Sequence, residues 1–270
     1  MPSAFKLVPC RKLSEGHFSR AEASVIIERE LPVYVNGQHL FTASIAPGME
    51  KEFVAGYLFG QGFINGVQEI HSLEIENDGV NVVLREKTLP RTIKASFRIV
   101  SGGGKTAYFK ESSLPKIHSS LKLNKKDVFR AMNTLFEKAS LYRETEGVHA
   151  AGLFTAHGLP LCIVEDIGRH NTLDKAIGYA LLNKIDGSNV FLVSTGRMAS
   201  EMVTKICRAG IPLVATKTAV TDKGLEIGIK CGLTIIGFVR DAGNKINTDM
   251  EVRTFDKSVM RIYSGAERVA

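Results

Sequence analysis

The sequence predicts an α/β fold in two parts: a C-terminal α/β domain with a mostly parallel sheet, and a smaller, mostly antiparallel N-terminal β domain. From residue 148 onward strands and helices take turns, which is the pattern of βαβ units. Before residue 110, apolar runs instead flank short turns. We therefore place the domains at residues 21–110 and 124–270, preceded by a loose, polar arm over residues 1–20.

Hairpin turns organise the N-terminal domain. Asn36-Gly37, the strongest short hairpin signal, separates strand 24–35 from strand 39–45. A helix over residues 49–61 follows. The remaining elements are strands 70–75 and 80–84 around Asn77-Asp78-Gly79, then strand 92–100, which leads into a glycine-rich loop of Ser101, Gly102, Gly103, Gly104 and Lys105.

Periodicity predicts the C-terminal elements. Val128, Met132 and Leu135 recur at helical spacing, so a helix extends from Asn124 to about residue 139. The elements after it are strands 148–155 and 159–164, a helix from Thr172, strand 189–194, helix 199–209, strand 213–216, helix 222–231 and strand 233–239.

Composition limits the class of protein. The 270 residues carry a formal net charge of +7, which favours an anionic ligand such as a nucleotide. Trp is absent and no Lys/Arg block is interleaved with aromatic residues, so we do not expect nucleic acid as the main partner. No apolar run reaches the length of a membrane span and the N-terminus does not resemble a signal peptide. Together with four scattered cysteines, this predicts a cytoplasmic protein with no membrane partner.

The turn from Glu165 to Lys175 concentrates polar side chains between a predicted strand and a predicted helix. Around Gly168 it carries two carboxylates, an arginine, a histidine and an asparagine. Free backbone N–H groups and the helix dipole favour an anion at such a position. A plain polar turn would need only the glycine and a cap, which Asn171 could supply. We favour a binding or catalytic site.

Two further strand ends carry cations. Arg197 follows strand 189–194, and Lys217 follows strand 213–216. Because parallel strands end at one edge of a sheet, Arg169, Arg197 and Lys217 are expected to converge in one crevice, where they would suit a pyrophosphate. The alternative, that Arg197 and Lys217 are ordinary solvated charges, stays open.

Two familiar motifs fail. The glycine-rich loop is not a P-loop, because the position five residues before Gly104 is Ile99. The strand around His149 has some likeness to a zinc deaminase, but Ala151 replaces the general-acid glutamate and no Pro-Cys-x-x-Cys follows. We therefore expect no zinc or other bound metal.

Several longer motifs match one family. The N-terminal matches are Leu31-Pro32-Val33, Ala46-Pro47-Gly48 and Gly62-Phe63-Ile64. The C-terminal matches are stronger: Gly147-Val148-His149-Ala150-Ala151, Glu165-Asp166-Ile167-Gly168-Arg169-His170-Asn171, Gly196-Arg197, Ala209-Gly210-Ile211-Pro212 and Gly237-Phe238-Val239-Arg240. Through them the chain resembles, from about residue 21, the formate dehydrogenase accessory proteins, the FdhD family of sulfur carriers.

This resemblance implies a function. Proteins of the family take sulfur from a cysteine desulfurase as a persulfide. They deliver it to the bis-guanine-dinucleotide molybdenum (or tungsten) cofactor before that cofactor enters formate dehydrogenase, and a related molybdoenzyme would be an equivalent client. The resemblance further implies a homodimer and a C-terminal domain similar to the cytidine-deaminase fold without its zinc.

The cofactor contacts expected from the resemblance and from the basic crevice form two sets. The family associates one segment with cofactor binding, which here comprises Phe238, Val239, Arg240, Asp241, Ala242 and Gly243. The crevice, which suits a GDP-like nucleotide, adds Asp166, Arg169, His170, Asn171, Gly196, Arg197 and Lys217.

Two departures from the family pattern matter. The family carries a Cys-Gly-x-Cys-Gly loop whose first cysteine is the usual persulfide carrier, whereas the matching residues here run from Ser101 to Lys105 without a cysteine. A hydroxyl group cannot hold a persulfide, because the chemistry requires a sulfur nucleophile. Residues 244–257 also look inserted before the C-terminal match that begins at Arg261.

The absent loop cysteine leaves two roles open. One is a sulfurtransferase that uses a displaced cysteine, with Cys10 as the candidate because Cys162 and Cys207 lie among apolar residues. The other is a protein that binds or hands over the cofactor without sulfur chemistry. Whether the chain is an enzyme is therefore undecided by its sequence, and no catalytic residue is assigned.

Overall fold

The computed structural model describes residues 4–76, 79–85, 97–99, 114–241, 246–248, 251–253 and 258–270. Within these ranges the strands form a five-stranded sheet, a six-stranded sheet and two separate two-stranded ribbons, and six α-helices accompany them. The predicted α/β class is confirmed. The glycine-rich loop 101–105, Ala242, Gly243 and most of the predicted strand 92–100 lie outside the described residues.

A β-ribbon replaces the predicted loose arm. β1 (Phe5–Ser14) pairs antiparallel with β2 (His17–Ile26), so the prediction for residues 1–20 is wrong from Phe5 onward. Glu15 and Gly16 have φ of 50° and 82°, the left-handed conformation of a two-residue hairpin turn. Most side chains of the ribbon are exposed, which is why its composition is that of a loop.

The five-stranded sheet follows the predicted hairpins. Its strands are β3 (Arg29–Val35), β4 (Gln38–Ile45), β5 (Ile70–Glu76), β6 (Gly79–Leu84) and β7 (Phe97–Ile99), in the order β5-β6-β3-β4-β7. The pairs β3–β4 and β5–β6 are antiparallel, while β3–β6 and β4–β7 are parallel. Asn36 and Gly37 both have positive φ, as the hairpin signal requires. The predicted strand 24–35 is divided between β2 and β3.

The six-stranded sheet positions the candidate site. Its strands are β8 (His149–Thr155), β9 (Pro160–Asp166), β10 (Val190–Ser194), β11 (Leu213–Thr216), β12 (Thr234–Arg240) and β15 (Val259–Ser264), in the order β15-β12-β11-β10-β8-β9. Only the neighbouring pairs β10–β11 and β11–β12 are parallel, so the expectation of a mostly parallel sheet is met by the pairing of these central strands alone. Because β8 is antiparallel to both neighbours, β9 and β10 run in the same direction. Their carboxyl ends therefore lie at one edge.

Helices cover both faces of this sheet. The helices are α1 (Glu50–Gly60), α2 (Lys125–Lys138), α3 (Ser140–Thr145), α4 (Arg169–Leu182), α5 (Ser200–Arg208) and α6 (Asp222–Cys231), and a short ribbon pairs β13 (Ile246–Thr248) with β14 (Glu251–Arg253). Phe154 and Phe191 pack with α2 on one face, whereas Leu153 and Leu192 belong to the core shared with α4 and α5 on the other. In the described part of the chain, no helix has the length and hydropathy needed to cross a membrane.

The two sheets are joined through α1 and α4. A Cβ added to Gly56 would lie 1.9 Å from the carbonyl oxygen of Asp174, and one added to Gly178 would lie 1.8 Å from that of Glu52. The helix backbones therefore touch at these two glycines, and no larger residue allows that approach. The hydrophobic core is continuous across the joint, since one cluster contains buried residues of both sheets.

Candidate functional site

The candidate site lies where β9 ends and α4 begins. The helix starts at Arg169 after an extended Gly168, three residues earlier than the sequence predicts. Asn171 is therefore inside the first turn and is not the cap. Its Nδ2 instead donates to the carbonyl oxygen of Ser44 at 2.9 Å and to Oδ1 of Asp166 at 2.8 Å.

Two arginines and two histidines gather at this edge. Gly196 lies directly against Arg169, because a Cβ at Gly196 would be 2.8 Å from the Arg169 Cβ. His149, at the start of β8, is close enough to Arg169, His170 and Arg197 that these side chains, after burial itself, lower its pKa. The structure thus brings Arg169, Gly196 and Arg197 together, and adds a histidine that the sequence had suggested only as part of a failed zinc motif.

His170 and Arg169 each retain unused hydrogen-bonding capacity. His170 is 7% exposed, and its Nε2 lies 3.3 Å from Oε2 of Glu201 on α5. This contact lowers the pKa of Glu201. Within the described residues, Nδ1 of His170 and Nε of Arg169 are buried without a hydrogen-bond partner. Buried polar atoms are rarely left unsatisfied, so a ligand that supplies partners is a natural explanation.

Lys217 lies at the same sheet edge but has different neighbours. Its backbone N–H donates to the Ser194 carbonyl oxygen at 3.1 Å. Its Nζ is 4.9 Å from the centre of the Phe136 ring and 3.5 Å from the hydroxyl of Tyr142. Burial, and secondly the nearby Arg240, lower the pKa of Lys217. Lys217 therefore faces aromatic rings and Arg240, and forms a second cationic group beside the first.

The segment from Phe238 to Asp241 is bent. Phe238 has φ of 53° inside β12, and its N–H donates to the Thr218 carbonyl oxygen at 3.0 Å. A left-handed phenylalanine costs about 1–3 kcal/mol, and such strain clusters at functional sites. Its ring lies 5.5 Å from the guanidinium carbon of Arg240 and 4.4 Å from that of Arg261.

The two neighbours of this bend have structural roles. Val239 is 1% exposed and belongs to the core under α2. The Asp241 carboxylate accepts hydrogen bonds from Asn133 at 2.8 Å and from Ser258. Of the described residues in this segment, Phe238 and Arg240 are the ones placed to meet a ligand.

Asp166 and Asn171, expected as ligand contacts, are instead buried structural residues. Asp166 is 0% exposed, and its Oδ2 lies 2.7 Å from Nζ of Lys175 and accepts the Ala46 N–H at 3.2 Å. Burial raises the pKa of Asp166, and Lys175 counteracts this. Together these side chains tie the start of α4 to the loop after β4. They fix the position of Arg169 and His170 without facing the sheet edge themselves.

Glu165 caps a helix that the sequence did not predict. Its carboxylate accepts the backbone N–H groups of Leu141 and Tyr142 at the start of α3, at 3.2 and 2.6 Å. This contact joins residues 24 positions apart, so no local sequence pattern predicts it. It places the Tyr142 hydroxyl 3.5 Å from Nζ of Lys217, so Glu165 shapes the site through α3.

The four cysteines differ in accessibility. Cys10 is exposed on β1, Cys162 is half-buried on β9, and Cys207 and Cys231 are buried. Burial raises the pKa of Cys162 to about 11, so its thiol is a poor nucleophile. Among the described residues, no three His, Cys, Asp or Glu side chains come together in a group that could hold a metal ion.

Comparison with known proteins yields one family. The model of the FdhD/NarQ family matches residues 26–270. The chain is 35% identical over 211 residues to the sulfur carrier protein FdhD of Saccharolobus solfataricus, covering 76% of this chain and 80% of that protein. It is 31% identical to the sulfur carrier protein FdhD of Methanothermobacter thermautotrophicus, covering 93% of both chains.

A solved structure has the same fold. It is a crystal structure described as that of a formate dehydrogenase accessory protein from Desulfotalea psychrophila, with a TM-score of 0.80 and 22% sequence identity. The superposition covers 99% of this chain and 100% of the other.

Proposed function

The chain belongs to the FdhD/NarQ family, and from this premise we propose that it binds the guanine-dinucleotide molybdenum cofactor as cargo during maturation of a formate dehydrogenase or a related molybdoenzyme. Relatives that match most of the chain are named sulfur carrier proteins. In the same proposal, a cysteine desulfurase and a second copy of the chain are its other partners, and tungsten could replace molybdenum in the cargo.

The observation that carries the proposal is the cationic edge formed by Arg169 and Arg197, with His149 beside them. The pyrophosphates of a guanine dinucleotide are anionic, and arginine guanidinium groups match phosphate oxygens in charge and geometry. The unpartnered Nε of Arg169 and Nδ1 of His170 add hydrogen-bonding positions beside them. Lys217 and Arg240 extend the positive charge along the carboxyl ends of β11 and β12.

The residues of this chain would hold the cargo rather than transform it. Arg169 and Arg197 bind phosphate oxygens, while Glu201 holds the His170 ring through Nε2 at 3.3 Å. The strained Phe238 is fixed by its backbone bond to Thr218 and keeps Arg240 at the same edge. The metal and its sulfur ligands arrive with the cargo, so the protein needs no metal ligand of its own.

A second role, sulfur transfer, is favoured by the accessibility of Cys10. Because Cys162, Cys207 and Cys231 are partly or fully buried, Cys10 is the one fully exposed thiol. In such a transfer the Cys10 thiolate attacks the outer sulfur of a desulfurase persulfide. A bond forms between the two sulfur atoms, the donor S–S bond breaks, and the desulfurase cysteine leaves as a thiolate.

Loss of either arginine is expected to weaken nucleotide binding. Arg169→Ala and Arg197→Ala should each reduce the affinity for GDP by more than about 1 kcal/mol, the scale of a lost charged hydrogen bond. Titration calorimetry measures this. Arg130→Ala is the matched control, because Arg130 lies on α2 and bonds to Asp127 and to the His157 backbone. Unchanged affinity in both site variants would remove the anion-binding argument.

Persulfide formation decides between the two roles. After incubation with a cysteine desulfurase and free cysteine, mass spectrometry of intact and digested protein should locate any added sulfur on Cys10, and Cys10→Ser should abolish it. Sulfur on Cys207 or Cys231 would contradict the accessibility argument, since both are buried. A protein that binds GDP but gains no sulfur acts in cofactor hand-over alone.

A further inference from the structure

His149 occupies the centre of the cationic edge. It is the first residue of β8, opposite Asp166 on the neighbouring β9. Arg169 and His170 approach it from the start of α4, and Arg197 from the turn after β10. Its side chain is half-buried. His149 therefore lies beside two arginines and a second histidine. Such a grouping is unusual unless an anion also binds there.

Thr195 is the hydrogen-bond partner of the His149 ring. The Thr195 Oγ1 accepts the Ala150 N–H at 3.1 Å and lies 3.2 Å from Nδ1 of His149. While Oγ1 keeps the Ala150 N–H, the Thr195 hydroxyl is able to donate its own proton to Nδ1. Nδ1 is then an acceptor and Nε2 carries the ring proton. In this tautomer a neutral ring presents an N–H donor at Nε2.

Burial and three neighbouring side chains disfavour a second proton on the ring in the absence of a ligand. Arg169, His170 and Arg197 lower the pKa of His149 after the larger effect of burial. Asp166 faces it across the strand pair, but that carboxylate is engaged with Lys175 and Asn171. Glu201 on α5 binds His170. Within the described residues, no carboxylate is hydrogen-bonded to the His149 ring.

We propose that His149 is a further ligand-binding residue of this site, which donates its Nε2 proton to a phosphate oxygen and takes up a second proton at Nδ1 as the ligand binds. The inference rests on the proposed function and adds to it. The proton comes from the buffer. The Thr195 hydroxyl then turns from donor to acceptor, so the protonated ring keeps its partner at Nδ1.

The sign of the pH dependence follows from the charges. In the free protein burial and, secondly, the nearby Arg169, His170 and Arg197 hold the pKa of His149 below its ordinary value, and a bound phosphate anion raises it. The complex therefore binds more protons than the free protein between the two pKa values. Affinity increases as pH falls through the pKa of the complex, by up to about tenfold for each unit that the pKa moves, and levels off below the pKa of the free protein.

The test uses diguanosine 5′,5′-pyrophosphate, because its phosphodiesters do not titrate near neutral pH and any proton taken up belongs to the protein. Calorimetry in two buffers of different ionisation enthalpy, from mildly acidic to mildly alkaline pH, measures the uptake directly. We expect the wild-type protein to take up as much as one proton per ligand. His149→Gln should bind without this uptake and with an affinity that no longer depends on pH.

His157→Gln is the matched control, since His157 is exposed in the turn at the far end of the same β8–β9 hairpin. It should retain the full uptake. Should His149→Gln fold poorly, NMR of the assigned His149 Cε1–H signal in the wild-type protein gives the same answer, because this ring, and not that of His170, should protonate on titration with the ligand.

The outcomes separate the two proposals. Binding with uptake that survives in His149→Gln assigns the proton to His170 or another group and overturns the inference alone. Binding of the wild-type protein with no uptake has the same consequence. Absence of binding at every pH overturns the proposed function and this inference with it.

Discussion

Replacing Lys175 by methionine is expected to lower the free energy of unfolding by about 3–5 kcal/mol, the usual cost of removing one partner from a buried ion pair. Nζ of Lys175 lies 2.7 Å from Oδ2 of Asp166, and the two side chains are 1% and 0% exposed. The same ammonium donates to the carbonyl oxygens of Ala46 and Glu165. Methionine preserves the apolar stem but leaves the carboxylate and both carbonyl oxygens without this donor. Urea unfolding at neutral pH measures the loss.

Lys230→Met is the matched control. It removes an ammonium that pairs with Glu226 one turn earlier on α6, where the two side chains are 70% and 63% exposed. Exposed pairs of this spacing contribute little to stability, so the control should be close to wild type. Losses of equal size in the two variants would mean that burial does not strengthen the Asp166–Lys175 pair.

The destabilisation by Lys175→Met should shrink in acid. Burial raises the pKa of Asp166 and Lys175 lowers it, so the variant loses the lowering contribution and the pKa rises further. A carboxyl group whose pKa is higher in the folded than in the unfolded state binds more protons when folded. Its contribution to stability is therefore present at low pH and lost as pH rises through the folded pKa. A difference from wild type that grows in acid would show that an unpaired Asp166 is not the source of the loss.

Local signals predicted the elements that depend on local chemistry. Asn36-Gly37 places the β3–β4 turn because type I′ turns need two residues that tolerate positive φ. The helix from Asp222 to Cys231 is bounded as predicted, since Thr221 caps its start and Gly232 adopts the left-handed conformation at its end. These turns and caps involve residues only a few positions apart, so the sequence alone predicts them.

The direction of the strands was harder to predict from the sequence. Alternation of strands and helices indicates parallel pairing, and it does so correctly for β10, β11 and β12. The edges of the sheet, however, are filled by the β8–β9 hairpin and by the returning strand β15, which are antiparallel. β15 follows residues 244–257, and nothing in its own six residues shows which neighbour it will join.

The polar turn from Glu165 to Lys175 was located correctly but its residues divide into two kinds. Asp166, Asn171 and Lys175 face inward, because the loop after β4 covers them. Arg169 and His170 remain at the sheet edge. No local pattern separates the two kinds, since the covering segment lies more than a hundred residues away. The sequence did not indicate His149 as a binding residue for a similar reason, because its neighbours come from α4 and from the turn after β10.

Gly178→Ala is expected to destabilise the protein by about 3 kcal/mol, at the upper end of the cost of overpacking. The added methyl group would lie 1.8 Å from the Glu52 carbonyl oxygen on α1. Backbone cannot rotate away as a side chain can, so α1 and α4 must separate. The change also shifts the helix whose first residues are Arg169 and His170, so we expect GDP affinity to fall along with stability.

Gly228→Ala tests whether the loss of stability in Gly178→Ala comes from the contact between α1 and α4. Gly228 is also a glycine within a helix, and both variants gain the higher helix propensity of alanine. Its added methyl group would meet side-chain atoms: Cδ1 and Cγ1 of Ile235 at 2.6 and 3.4 Å, and Cγ1 of Val203 at 3.6 Å. The one close contact is with the end of the Ile235 side chain, which can turn aside. We therefore expect this variant to lose less stability than Gly178→Ala, and to bind GDP as the wild type does. Equal losses would mean that the backbone approach of α1 and α4 does not limit the fold, and that the site does not depend on it.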